Sequence, residues 1–138
     1  MIPAAISRTL SLRVFLASLW VATIIAVAFV DLFSLYRSDV REQIESGTIF
    51  VFEIGPSFLL GVIIYVLIPT LMIPLSVILP RAPNRILNIT VASLFAITVA
   101  GGAVGEWAYY VVASIVEIIL LVSIIVVSAR WSRAAETQ

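Results

Sequence analysis

Residues Trp107 to Arg130 read WAYYVVASIVEIILLVSIIVVSAR, an apolar run with a single carboxyl near its middle, Glu117. At about 1.5 Å of rise per residue, a run of this length crosses a hydrocarbon core of about 30 Å. A carboxylate at that depth costs several kcal/mol unless it is protonated, paired or wetted. The rest of the chain is therefore read as the surroundings that make Glu117 tolerable.

Composition agrees. The chain is 62% hydrophobic and 12% charged, with a mean hydropathy of +1.20. Soluble domains carry about 25% charged residues, so this is a membrane composition. At 138 residues a single transmembrane domain, 1–138, is expected. Eight Arg balance eight acids, and a net charge of zero gives no reason to expect nucleic acid. The chain has no Cys and no His, so His-held haem, Cys/His zinc and thiol–disulfide exchange lack their ligands. No Glu-x-x-His spacing supports a carboxylate metal site. No cofactor and no metal are expected, and enzyme chemistry is disfavoured.

The hydropathy pattern predicts an all-α membrane protein, a four-helix transmembrane bundle with spans near 14–36, 57–79, 86–105 and 107–130. The first run is too long for a signal peptide, and Asp31 sits where cleavage would fall, so it is read as a retained helix. Between the first two spans, RSDVREQIESG at 37–47 is the most polar stretch, either a short amphipathic surface helix or a plain loop. Asp39 and Glu42 have capping-box spacing, and Gly47 suits a helix end. Residues 48–56 lie in the interface or begin the second span early. Pro69 and Pro74 favour kinks in that span. PRAPNR at 80–85 reads as a tight basic turn. In the third span Ala92, Ala96 and Ala100 recur every fourth residue, and Gly101 and Gly105 repeat the spacing. Small residues so placed let membrane helices approach closely. Trp107, Tyr109, Tyr110 and Trp131 suit interface belts. With a second tight turn at Glu106 and Trp107, the second, third and fourth helices are expected to be antiparallel neighbours.

Arginine counts predict the topology. Arg8, Arg13, Arg81, Arg85, Arg130 and Arg133 fall on one side, and only Arg37 and Arg41 on the other, diluted by Asp39, Glu42 and Glu45. Both termini are expected in the cytoplasm of a bacterial inner membrane, with the polar segment outside.

Two spans carry acids and none carries a cation in its interior. Trp20, Val27, Asp31 and Ser34 share one helical stripe, and Tyr110, Ser114, Glu117 and Leu121 another. Glu117 is expected to face the bundle interior in its neutral form, lining a polar pocket towards the first helix, with Ser114 and Tyr110 extending a path outwards. Asp31, Trp20, Ser114, Tyr110 and Glu117 are thus candidates for ligand or proton binding. The structural alternative is an acid hydrogen-bonded to a hydroxyl or carbonyl that serves packing alone.

Several segments together resemble an uncharacterised family of small bacterial and archaeal four-helix membrane proteins: FVDLFSLY at 29–36, SFLLG at 57–61, PNRILNI at 83–89, the Gly101–Gly102 pair and VEI at 116–118. The second helix departs from the family's Glu-Ile-Pro, with Leu67-Ile68-Pro69 in its place. A looser likeness to DoxX-type proteins is one of architecture. The resemblance implies a fold and no activity. Three classes of function remain: a non-enzymatic accessory or structural membrane protein, a small carrier or ligand-binding bundle using Glu117, and, least favoured, an enzyme. The partners expected are the lipid bilayer and a homo-oligomer or larger membrane complex.

Overall fold

The computed structural model describes residues 4–131, with side chains from residue 10 onward. The side chains of Arg8 and Arg133, and the polar tail 132–138, lie outside the described residues. The elements run α1 (Ala4–Ser34), α2 (Ser38–Glu45), a small hairpin of β1 (Thr48–Ile49) and β2 (Phe52–Glu53), α3 (Pro56–Ile78), α4 (Arg81–Gly102) and α5 (Ala108–Arg130). Four helices, α1 from Leu10 together with α3, α4 and α5, are long and apolar enough to cross a membrane. The chain is a multi-pass membrane protein built on a four-helix bundle. One end holds the described chain ends and the α3–α4 turn, the terminal end. The other holds α2, the β-hairpin and the α4–α5 loop, the hairpin end.

Connectivity and packing differ. α4 lies along α5, and α1 lies between α5 and α3, while α3 touches α4 only lightly. The expected side-by-side pairing of the second and third spans is therefore largely replaced by α3 against α1. α3 is sparsely buried, only at Pro69, Met72 and Ser76, all in its second half. Its first half meets α4 through Tyr65, whose ring stacks on Phe95 at 4.5 Å and whose hydroxyl shares a 2.7 Å hydrogen bond with Thr98. The core gathers Leu16, Trp20, Met72, Ala92, Phe95, Val99, Leu121, Ile124 and Trp131. Lipid tails are as apolar as these side chains, so close packing and hydrogen bonds, rather than water exclusion, hold such helices together.

Several boundaries move. Residues 81–85 are helical rather than a turn, because Pro80 caps α4 from an extended conformation and Pro83 falls in the first turn, where backbone donors have no helical partner to lose. Residues 37–47 form the amphipathic helix α2, ended by Gly47 at φ +78°. The capping box does not form: no side chain caps α2, because the Asp39 carboxylate is taken by Arg37 instead. Residues 48–54 make a hairpin, closed where Ile54 N–H donates to the Gly47 carbonyl at 2.8 Å. In the small-residue face, Ala92 is fully buried and Ala96 packs beside the core. Ala100 and Gly101 are exposed. A Cβ on Gly101 would meet nothing within 4 Å, and Gly105 lies in the loop at φ +82°, where a left-handed turn wants glycine. The close contact expected over five positions is thus confined to Ala92 and Ala96.

A buried polar network ties three helices near the terminal end. Trp20 Nε1 donates to Asn88 Oδ1 at 2.7 Å, and Ser76 Oγ donates to the same oxygen at 3.2 Å. Asn88 Nδ2 donates to Asn84 Oδ1 at 2.6 Å and to the Asn84 carbonyl at 2.9 Å. Asn84 Nδ2 in turn donates to the Ser76 carbonyl at 2.7 Å. That carbonyl needs a donor, because the residue four positions on is Pro80, which has no N–H. At the same end, Arg13 donates to the Val77 carbonyl and Arg81 to the Trp131 carbonyl, each at 2.7 Å. Both cations thereby sit at helix C-termini, where the backbone dipole favours them.

Candidate functional site

Arg37 organises the hairpin end. It holds Asp39 through two hydrogen bonds of 3.1 and 2.6 Å, pairs with Glu106 across the bundle, and lies over the Trp107 ring at 4.7 Å. Tyr109 adds a 2.9 Å hydrogen bond to Ser34. The α1–α2 corner is thereby clamped to the start of α5. The Asp39 hydrogen bonds, and then Glu106, hold the Arg37 guanidinium above its ordinary range. The guanidinium in turn holds the Asp39 carboxyl below the usual carboxylate range.

Deeper in the bundle the pattern changes. Ser114, Glu117, Leu121, Ile124 and Ser128 form the buried stripe of α5, at the 3-4 spacing that keeps one helical face inward. Glu117 is 4% exposed and Ser114 2%. Glu117 Oε1 and Ser114 Oγ are both buried without a hydrogen-bond partner. The other unpartnered buried atoms, on Arg81, Ser128 and Trp131, all lie within a turn of a helix terminus at the terminal end. Midway along the helices, among the described residues, only Glu117 and Ser114 are left so. Among those residues Arg37 alone makes ion pairs, so Glu117 has no paired cation.

Asp31 is carried by α1, Glu117 and Tyr110 by α5, which packs against α1, and Tyr65 by α3, which also packs on α1. Asp31 itself is not enclosed: with Ile24 and Val27 of α1, Tyr65 and Pro69 of α3, and Phe95 of α4 it lines an apolar groove of about 200 Å³. Pro69 also withdraws the N–H that the Tyr65 carbonyl would receive in a regular helix. Tyr110 is half-buried on the stripe that carries Ser114 and Glu117.

The sequence candidates therefore divide. Tyr110, Ser114 and Glu117 follow one face of α5 and Asp31 lies on the adjacent helix α1, whereas Trp20 stands apart, its indole N–H committed to Asn88. Tyr65 and Phe95 were missed, since a tyrosine and a phenylalanine in apolar runs carry no motif. Asn84 was missed because PRAPNR at 80–85 reads as a turn, which left Asn88 alone in the third span, although two Asn four residues apart in an apolar helix are a signal of a shared polar face. Among the described residues no three acids converge to hold a metal ion.

The chain belongs to the family DUF6326, a family of unknown function, whose model matches residues 8–137. No curated protein and no solved structure matches the chain.

Proposed function

We propose that this protein is a small membrane-embedded binding bundle of the carrier type, not an enzyme, in which Glu117 is an exchangeable acid. A single observation carries this reading: a buried carboxyl midway along α5 has an unpartnered oxygen, an unpartnered hydroxyl one turn away, and no paired cation among the described residues. A buried acid kept for packing would be hydrogen-bonded, as every member of the Asn84–Asn88 network is. Ionisable groups at this depth that are left unsatisfied mark proton or cation pathways. Glu117 then carries a proton that an entering cation displaces, and Asp31, on the adjacent helix α1, is the second acid of the path. The arginine count supports a bacterial inner-membrane location with the terminal end in the cytoplasm.

The test is exchange in proteoliposomes. Inward gradients of Na⁺, K⁺ or a small organic ammonium are imposed, and proton efflux is followed with an entrapped pH dye. The wild type moves protons with at least one of these cations, and Glu117→Gln moves none while melting like the parent. Equal exchange by Glu117→Gln, or none by the wild type with any cation, would overturn the reading. A second reading, an accessory subunit of a larger membrane complex, draws on the exposed Ala100–Gly101 surface, where a Cβ at Gly101 meets no neighbour and another helix has room to approach. Loss of a co-purifying partner from Gly101→Leu would favour it.

A further inference from the structure

We infer that the groove between α1 and α3 is a binding site for a small organic ammonium bearing one ring or a short alkyl chain. The inference deepens the carrier reading, on which it rests for any coupling to Glu117. Three observations define the occupant. The wall is apolar: Ile24, Val27, Val66 and Pro69 line it, which selects a hydrocarbon body. Asp31 is its single charged residue, and that charge selects a cation. Tyr65 and Phe95, both lining the groove, stack at 4.5 Å. Aromatic faces beside an acid are how proteins recognise substituted ammonium groups, whose diffuse charge is attracted to the ring and is weakly hydrated.

The remaining geometry fits the same ligand. Thr98 fixes the Tyr65 hydroxyl at 2.7 Å, so the ring is already positioned before anything binds. The volume of about 200 Å³ exceeds the roughly 150 Å³ of a cavity known to take benzene, which limits the body to about one ring. A bare metal ion would find one carboxylate and two hydroxyls, those of Thr23 and Tyr65, already engaged elsewhere, too few oxygens for a hard cation. A neutral hydrocarbon would cover Asp31, which is exposed at the groove, without offering it a charge partner.

The experiment measures binding of benzyltrimethylammonium to the purified full chain in lipid nanodiscs by equilibrium dialysis, corrected with empty nanodiscs. Its uncharged isostere 2,2-dimethylpropylbenzene is the reference. The wild type binds the ammonium at least tenfold more tightly than the isostere. Asp31→Asn weakens the ammonium at least tenfold and leaves the isostere unchanged. Tyr65→Leu weakens it several-fold, and Tyr65→Phe, which keeps the ring, restores it. Each variant is melted alongside the parent, so a folding defect is seen directly. Equal affinity for the two compounds, or wild-type affinity in Asp31→Asn, would overturn the inference. If ammonium binding is absent while Na⁺ or K⁺ still drives Glu117-dependent proton exchange, the groove assignment falls and the carrier reading stands. If Asp31-dependent binding is seen while Glu117→Gln exchanges protons like the wild type, the groove stands and the carrier reading falls.

Discussion

Asn88 on α4 and Glu117 on α5 are both buried polar residues of the bundle interior, and their surroundings differ in kind. Asn88 makes four hydrogen bonds, to Trp20, Ser76 and both Asn84 oxygens. Glu117 has an oxygen with none. The first region behaves as a joint. It repairs the carbonyl orphaned by Pro80 and ties α1, α3 and α4 together where lipid offers no hydrophobic drive. The second is the site of the proposed function, since an unsatisfied acid costs free energy that packing alone does not explain. The joint and the proposed site thus occupy different levels of the same bundle.

Breaking the joint should have the largest effect. Asn88→Leu strands the Trp20 indole N–H, the Ser76 hydroxyl and the Asn84 amide oxygen. Each buried group left unmade costs about 1–3 kcal/mol, so a loss of about 3 kcal/mol or more is expected in denaturant or thermal unfolding in mild detergent. A change under 1 kcal/mol would show that water or lipid satisfies those groups and that the joint is not one. Next comes the α4 face. Ala92→Leu should destabilise by about 1–3 kcal/mol, since fully buried Ala92 has no room for added methylenes. Exposed Ala100→Leu should stay within about 0.5 kcal/mol. Equal melting of the two variants would erase the difference between the two halves of that face.

A smaller effect is expected at the hairpin end, where Arg37→Gln removes the clamp to Asp39 and Glu106 at a cost of about 1–2 kcal/mol. The pH response has a definite sign. Asp39 is held below its ordinary value by Arg37, so its stabilisation is complete above the unfolded value of about 3.9 and is lost as pH falls through the lower folded value. Arg37, held above its ordinary range, stays charged throughout. Trp107, under the guanidinium at 4.7 Å, is the reporter. Its emission should change below about pH 4 in the wild type, and Arg37→Gln should remove that acid step. An identical step in the variant would assign the transition elsewhere.

The four spans and the inward placement of Ser114 and Glu117 were legible because hydrophobic length and helical spacing are properties of a single segment. What α3 packs against was not legible. A short turn suggests a neighbour, but α3 packs chiefly on α1, through residues distant in sequence, as where Arg13 reaches the Val77 carbonyl. The α4 start was misjudged because Pro80 and Pro83 look like breakers, and only the chain's direction shows that both precede or open a helix. The groove pairs Asp31 with Tyr65 and Phe95 from two other helices, a juxtaposition no local pattern encodes. The acid was found without its surroundings.

The most direct test of the contrast is the stability of Glu117→Leu, measured by reversible unfolding in detergent beside Asn88→Leu. Removing a buried carboxyl that nothing holds should leave the protein as stable as the parent or more so, as is common where a site sacrifices stability for function. A loss of about 2 kcal/mol or more, the size expected when a satisfied buried hydrogen-bonding group is removed, would show that Glu117 is a second structural joint and would contradict this account.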